Sequence, residues 1–422
     1  MIAANLYRGS GIELQKGGTP APKSTLVASE QSNTSVIFGD IAIMKLFRKV
    51  EEGKNPEVEI GQLLTKQKFP YTPKLIGYAQ YRPPGLDSAV ILVLEEFVRN
   101  EGNGWSLFTG EFERFLERTA RRDISEFASL IGVTALEAES MQIPDSLLET
   151  IGLPFVEKVS LLGKRTAEFH LALASDKDDP SFAPEPFGYL EQIATSQSMI
   201  SHANRVFQEA SRVTNLDQKI QKELSNLSQY QSEIVNHLTA LRRIKANLVR
   251  SRTHGDYHLG QVLFTGKDFV IIDYEGEPAR SLDDRRSKRL AIRDVAGMLR
   301  SFDYAAHAHS LEHDNNRQND GSAVNRMKWA ELWATVVGSI FLKSYLKETQ
   351  GTQLAPSEKS TLATILDAYL LEKSIYELAY ELNNRPDWIV IPIQGIKTIL
   401  RATRTVQELT PTESDHELNY IP

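Results

Sequence analysis

Residues 253–264 read THGDYHLGQVLF and residues 269–280 read FVIIDYEGEPAR. Each couples a polar island carrying an acid to a short apolar run. Val262, Leu263 and Phe264, and then Phe269 to Ile272, have the length and β-branched or aromatic content of strands, and Gly266-Lys267-Asp268 between them has turn chemistry. The reading is a hairpin with Asp256 on its approach loop, Gln261 at its base and Asp273 at its exit. A fold needs none of these oxygens there, so their convergence calls for a chemical reason.

Transfer of a phosphoryl group supplies one. It needs a carboxylate to orient the attacking hydroxyl and accept its proton, and oxygen ligands to hold Mg²⁺ against a triphosphate. The spacing of a protein-kinase catalytic loop is matched by His254-Gly255-Asp256, with Gln261 in the amide position and Asp273 where the metal-binding acid would stand. His254 is read as fixing the loop.

Working outward, such a site needs a lysine on a small lobe and a helical glutamate to hold it. SVIFG (35–39) and IAIMKLF (41–47), separated at Gly39-Asp40, predict a hairpin carrying Lys45. Asn55-Pro56 predicts a helix start, with Glu57 and Glu59 in the first turn before Ile60, Leu63 and Leu64. Glu59 is taken as the partner of Lys45. AVILVLEEFV (89–98) predicts a buried strand running into the hinge RNEGNGW (99–105), with Glu95 and Phe97 on the nucleotide side. In place of a glycine-rich loop, Ser32, Asn33, Thr34 and Ser35 offer hydroxyl, amide and backbone N–H groups to phosphate.

Beyond the hinge the apolar spacing is helical. Val159, Leu162, Thr166, Phe169 and Leu173 draw one stripe, and the run from Leu216 to Leu248 fits one long helix or two antiparallel ones. The stretch 307–325 is polar and aperiodic and predicts a loop holding His307, His309 and His313. Further helices are expected over 329–347 and 360–383.

Composition sets the outer bounds. A chain of 422 residues, 41% hydrophobic, can bury a large core in two or three lobes. The formal charge of −7 offers no basic field for nucleic acid, although Arg285-Arg286-Ser287-Lys288-Arg289 is a local basic cluster. With no cysteine, disulfides, thiolate metal sites and cysteine nucleophiles are excluded. No secretory signal is legible at the N-terminus, and no apolar run approaches the ~20 residues of a spanning helix. The expectation is a soluble, cytoplasmic protein without nucleic-acid or membrane partners.

Together EQSNTSV (30–36), IMKLFR (43–48), NPEVEIG (55–61), HGDYHLGQVL (254–263), the segment 271–306 from IIDYEGEPAR to SFDYAA, and YELAYELNNRPDWIVIPI (376–393) resemble the bacterial maltokinases, including those fused to trehalose synthase. The resemblance spans roughly residues 26–405. It implies an α+β, bilobal, eukaryotic-kinase-like fold near the aminoglycoside phosphotransferases. The implied small antiparallel-sheet lobe with its hinge spans 27–105, and a mainly helical lobe spans 106–405. Residues 1–26 are read as a flexible, shortened cap region and 406–422 as a tail. It also implies ATP- and Mg²⁺-dependent transfer to the anomeric hydroxyl of maltose, giving maltose 1-phosphate for α-glucan synthesis, with association to a separate trehalose synthase as a further expectation. Carried onto this chain, Lys45 and Glu59 form the nucleotide-side pair, Asp256 is the base, Gln261 and Asp273 hold Mg²⁺ with Glu275 assisting, and Asp294 braces the catalytic loop. For the sugar, Lys373, Tyr376, Glu377, Tyr380 and Asn384 recur at threes and fours on one helix, with Trp388 beyond it. The alternatives are a kinase of glucosamine or an aminoglycoside-like acceptor, for which a pocket rich in acids and poor in basic residues is expected, and a non-catalytic partner of trehalose synthase.

Overall fold

A computed structural model describes residues 2–6, 22–27, 33–82, 84–85, 87–213, 216–314 and 321–409. Six antiparallel strands, β1 (Ile2–Leu6), β2 (Ser24–Leu26), β3 (Asn33–Phe38), β4 (Ala42–Phe47), β5 (Leu75–Tyr81) and β6 (Ala89–Glu96), form one sheet in the order β1-β5-β6-β4-β3-β2. The β3–β4 hairpin turns at Gly39, whose φ of 56° suits a residue without a Cβ. Its register sets Ser35 opposite Lys45.

Helix α1 (Pro56–Lys66) starts where the sequence signals it: the Asn55 side chain accepts from Glu57 N (2.9 Å) and Val58 N (3.3 Å), two donors that have no partner inside the helix. Val58 packs into a small core with Phe47, Leu75, Val90 and Val93, while Ile60, Leu63 and Leu64 join the large core of the helical lobe. Burying each such side chain stabilises by roughly 1.5–3 kcal/mol. One helix therefore touches both lobes.

The hinge is tied down before the second lobe begins. Glu101 N donates to Phe264 O (2.7 Å) and Phe264 N to Gly102 O (2.9 Å), and Asn103 caps α2 (Gly104–Thr119) at Ser106 N. There follow α3 (Leu153–Leu173), α4 (Tyr189–Arg212), a hairpin of β7 (Val262–Phe264) and β8 (Phe269–Ile271), α5 (Ile292–Asp314), α6 (Gly321–Glu348), α7 (Lys359–Asn384) and α8 (Val390–Leu409). The core of this lobe is aromatic: Phe108 stacks on Phe302 at 5.1 Å and Phe155 on Trp333 at 5.8 Å. Gly163 lets α3 and α6 approach until a Cβ there would lie 2.3 Å from Phe341 O.

Two expectations change, and one left between alternatives is decided. Residues 2–6 and 24–26 are not tail but strands, β1 covering the edge of β5 and β2 that of β3; runs this short carry too little periodicity to be read. The loop expected over 307–325 is largely helix, because α5 continues to Asp314 and α6 starts at Gly321. His307 is buried on α5 with its ring against Asp303, while the side chains of His309 and His313 lie outside the described residues. The run from Leu216 to Leu248 resolves into two short helices, Gln218–Ser228 and Gln231–Ala240. Residues 410–422 are outside the described residues, and no described helix is long and apolar enough to cross a membrane.

Candidate active site

The approach loop to β7 is held from behind. Asp294, in the first turn of α5, accepts from His254 N (2.7 Å) and Gly255 N (3.0 Å), and its Oδ2 lies 3.0 Å from His170 Nε2. Burial opposes the charge on Asp294, but the bond to His170 and the nearby cations outweigh it and hold the carboxyl below its ordinary range. An ionised carboxylate only accepts, so His170 donates from Nε2. His254 likewise presents its Nε2–H to Ile272 O (2.9 Å), which joins the loop to the exit of β8. Gly297 allows α5 to lie against this loop, since a Cβ there would stand 2.7 Å from Tyr257 O. Asp256 is thus carried on an immobilised backbone while its own side chain keeps about a quarter of its surface exposed (23%).

Asp273, just past β8, has a φ of 70°, a left-handed conformation that costs a non-glycine residue on the order of 1–3 kcal/mol. The turn brings Asp273 Oδ2 within 2.9 Å of Gln261 Nε2 and its Oδ1 within 3.4 Å of Lys45 Nζ. Lys45 also lies 2.5 Å from Glu57 Oε1 and 3.6 Å from Glu95 Oε2. The glutamate of the lysine pair is therefore Glu57, not Glu59. Residues two apart on an α-helix point to opposite sides, and α1 presents Glu57 to the sheet. Glu59 bonds Arg252 and Arg286 of the helical lobe instead.

Around Lys45 the acids exceed the base. Burial works against the lysine's charge, but Glu57, Glu95 and Asp273 hold its ammonium well above the ordinary range. Burial, followed by Asp273, pushes Glu275 up to about 7. Glu57 Oε2 and Glu95 Oε1 are buried without hydrogen-bond partners. A site with surplus carboxylate and orphaned oxygens fits a hard divalent cation beside Gln261 Oε1 and Asp273. Among the described residues no His, Asp and Glu side chains form a three-membered cage, so such an ion would complete its shell with phosphate and water.

Of the expected phosphate-loop residues, Asn33 donates through Nδ2 to Glu275 Oε1 (2.6 Å), linking the two lobes. Thr34 accepts from Arg48 at 3.1 Å, Ser35 is buried opposite Lys45, and Ser32 lies outside the described residues. Glu95 turns inward to Lys45, and Phe97 N donates to Ile41 O (3.0 Å). The N–H of Phe97 is thereby used by the sheet.

On the other side of Asp256 lies a cavity walled by Glu277, Arg280, Arg293, Glu372, Lys373 and Tyr376. Lys373 Nζ stands 3.4 Å from Asp256 Oδ1, 3.3 Å from Glu277 Oε1 and 4.9 Å above the Tyr376 ring. Burial opposes charge on Glu277, but Lys373, Arg293 and Arg280 overcome it and bring its carboxyl down to about 2. Lys373 is raised above its ordinary range, its burial outweighed by Asp256 and Glu277.

The remaining expected sugar contacts do not reach this cavity. Glu377 is buried against Arg300 (2.7 Å), and Tyr380 is 44% exposed beside Arg385, whose guanidinium also lies 4.2 Å from the centroid of Trp388. Asn384 donates to Tyr380 O. Two helical turns separate Lys373 from Tyr380, about 10 Å at 1.5 Å per residue, so one stripe cannot converge on one ring. Conversely Glu277, Arg280 and Glu372 face the cavity and escaped the sequence reading as site residues. The signal was present in EGEPAR, which forms the cavity wall.

The chain is 22% identical over 385 residues to the glucosamine kinase of Mycolicibacterium smegmatis, spanning 89% of this chain and 79% of that one. It is also 22% identical over 415 residues to the glucosamine kinase of Streptacidiphilus jiangxiensis, spanning 95% and 80%. No family model matches. Among solved structures, a glucosamine kinase in complex with glucosamine, ADP and inorganic phosphate superposes with a TM-score of 0.68 at 18% identity, covering 97% of this chain and 84% of that chain. The likeness establishes a kinase-like fold, a small antiparallel-sheet lobe followed by a mainly helical one.

Proposed function

We propose that the chain is an ATP- and Mg²⁺-dependent sugar kinase. The observation that carries this is the junction of Gln261, Asp273 and the Lys45–Glu57 pair, with Asp256 on the loop that His254 ties to Ile272, the residue before Asp273. Asp256 orients the acceptor hydroxyl and takes its proton. The hydroxyl oxygen bonds to the γ-phosphorus as the bond from that phosphorus to the bridging oxygen breaks, and ADP leaves. Lys45 neutralises the α- and β-phosphates, and Gln261 and Asp273 would hold Mg²⁺, which when bound would supply further positive charge against the phosphates.

For the acceptor we propose a neutral sugar, maltose, phosphorylated at its anomeric hydroxyl. Lys373, Arg280 and Arg293 line the cavity and would oppose an ammonium group, while the Tyr376 ring offers a face for a pyranose. A second small hollow shares Arg280, Arg293, Tyr369 and Glu372 with the first and runs to Thr195, Ser198 and Met199 of α4. Glucosamine is the second reading, favoured by the glucosamine kinases at 22% identity and by the acids Glu277 and Glu372.

The test is ATP consumption with Mg²⁺ over a panel holding maltose, glucose, glucosamine and kanamycin. Maltose-dependent ADP release with maltose 1-phosphate as product is expected. Turnover of glucosamine without maltose would replace the first reading by the second, and no turnover with any sugar would remove both.

A further inference from the structure

Helix α1 carries two acids in its first turn, and they serve opposite sides of the cleft. Glu57 reaches Lys45. Glu59 faces the helical lobe with a saturated carboxylate: Oε2 accepts from Arg252 Nη1 (3.0 Å) and Arg286 Nε (2.8 Å), and Oε1 accepts from Arg286 Nη2 (2.9 Å). The Arg286 contact is a two-pronged fork, the geometry in which guanidinium and carboxylate bond most strongly. Burial raises the carboxyl, but the bonds to Arg286 and Arg252 outweigh it and keep Glu59 ionised.

The two arginines belong to the reacting segments. Arg252 lies on the approach to Asp256, is 1% exposed, and among the described residues has Glu59 as its hydrogen-bond partner, with Nε and Nη2 left bare. Arg286 ends the short helix Leu282–Arg286 that follows the metal loop. Ser251 and Arg289 exchange backbone hydrogen bonds of 3.0 and 2.8 Å, so the two segments are already fastened to each other. On the same side Arg285 binds Glu51 of the sheet lobe.

We infer that Glu59, Arg252 and Arg286 form a clamp that fixes α1 against the catalytic and metal loops, making Glu59 the positioning residue for the Lys45–Glu57 pair. Glu57 and Glu59 share one rigid helical turn, so any slide or rotation of α1 that frees Glu59 also shifts Glu57 at Lys45. Breaking the clamp strands a buried Arg252 charge, which makes the clamped position strongly preferred. Nucleotide binding is then prepared by a contact that the nucleotide never touches.

The inference rests on the kinase reading, and the experiment separates them. Binding of Mg²⁺ with a non-hydrolysable ATP analogue, without sugar, is measured for wild type, Glu59→Gln, Arg286→Ala and Arg286→Lys. Hydrogen exchange of α1, melting temperature, and steady-state kinetics with the active sugar accompany it. Glu59→Gln is expected to weaken nucleotide binding about tenfold and lower kcat by a similar factor, with the acceptor KM within about twofold of wild type. Exchange through α1 should rise. Arg286→Ala should move the same quantities about threefold or more, and Arg286→Lys, which keeps the charge and loses the fork, should fall between it and wild type. A merely structural ion pair would lower the melting temperature and leave nucleotide affinity at 25 °C alone. That result in either folded variant overturns the clamp, and if Glu59→Gln does not fold, Arg286→Ala decides. A wild type that binds no nucleotide overturns the kinase reading itself.

Discussion

Lys373 sits within 3.4 Å of Asp256 and 3.3 Å of Glu277, so the group proposed as base faces a cation before any acceptor enters. If Asp256 takes the hydroxyl proton, Asp256→Asn should lower kcat by about a thousandfold while leaving nucleotide affinity within about twofold, since the base acts mainly in the transition state. Equal turnover in the variant would remove Asp256 from the role. Lys373 is expected to select against cationic acceptors. Lys373→Met should raise the KM for maltose by about tenfold and shift the ratio of kcat/KM toward glucosamine, as loss of one polar contact and one repulsion together allow. An unchanged ratio would mean that the acceptor's charge is read elsewhere. At this scale the sequence was informative where residues act within a local motif: Gln261 and Asp273 stand at the base and exit of one hairpin, and that spacing brings them together. Glu57 and Glu59 were not separable, because the same helix N-terminus favours both and only the packed side of α1 chooses between them. Glu277 and Glu372 stand far apart in sequence and meet only through tertiary packing.

Elements with strong internal signals emerged where expected: the Gly39-Asp40 hairpin, the Asn55-capped helix, the buried strand into the hinge and the β7–β8 hairpin. Elements defined by their neighbours did not. β2 has three residues, all exposed, and β1 has five; each exists because a sheet edge offers unpaired N–H and C=O groups. Deleting residues 2–6 should therefore expose the β5 edge, lower the melting temperature by about 2–4 °C and promote association, while activity per folded molecule persists. A truncated chain that melts with wild type and stays monomeric would show that β1 adds no stability. Helix contacts set a stricter limit. At Gly163 an added Cβ meets the backbone oxygen of Phe341, which no side-chain rotation can relieve. Gly163→Ala should cost about 2–3 kcal/mol by equilibrium unfolding, in the range of other overpacked helix interfaces. A loss below about 0.5 kcal/mol would mean that α3 and α6 separate easily.

Between the lobes, charge supplies many of the contacts. Lys45 meets Asp273, Asn33 meets Glu275, Glu51 meets Arg285, and Glu59 meets Arg252 and Arg286. The basic cluster of 285–289 is consumed, Arg285 and Arg286 between the lobes and Lys288 and Arg289 within the helical lobe on Glu185 and Asp284, so it is no free patch for a polyanion. A molecule built so depends on pH from two directions. Glu277 is held down to about 2 against its burial by Lys373, Arg293 and Arg280, and Asp303 to about 2 against its burial by His307 and Arg300. Their folded pKa values lie below the unfolded ones, so their stabilisation is present above about pH 4.5 and lost as the pH falls toward 2. Asp367 on α7 has the opposite sign: burial, then Glu137, raises its carboxyl to about 7. Here the folded state keeps a proton that the unfolded state has released, so stability declines as the pH rises from about 4 to about 7 and stays at the lower level above. Asparagine keeps the shape and never ionises. Asp367→Asn should thus melt about 1–3 °C above wild type at pH 8, with the gap closing toward pH 4, where the carboxyl is protonated in the unfolded chain as well as in the fold. A gap of equal size at both values would mean that the substitution acts through packing and that Asp367 is not held neutral, which a melting series across that interval decides directly.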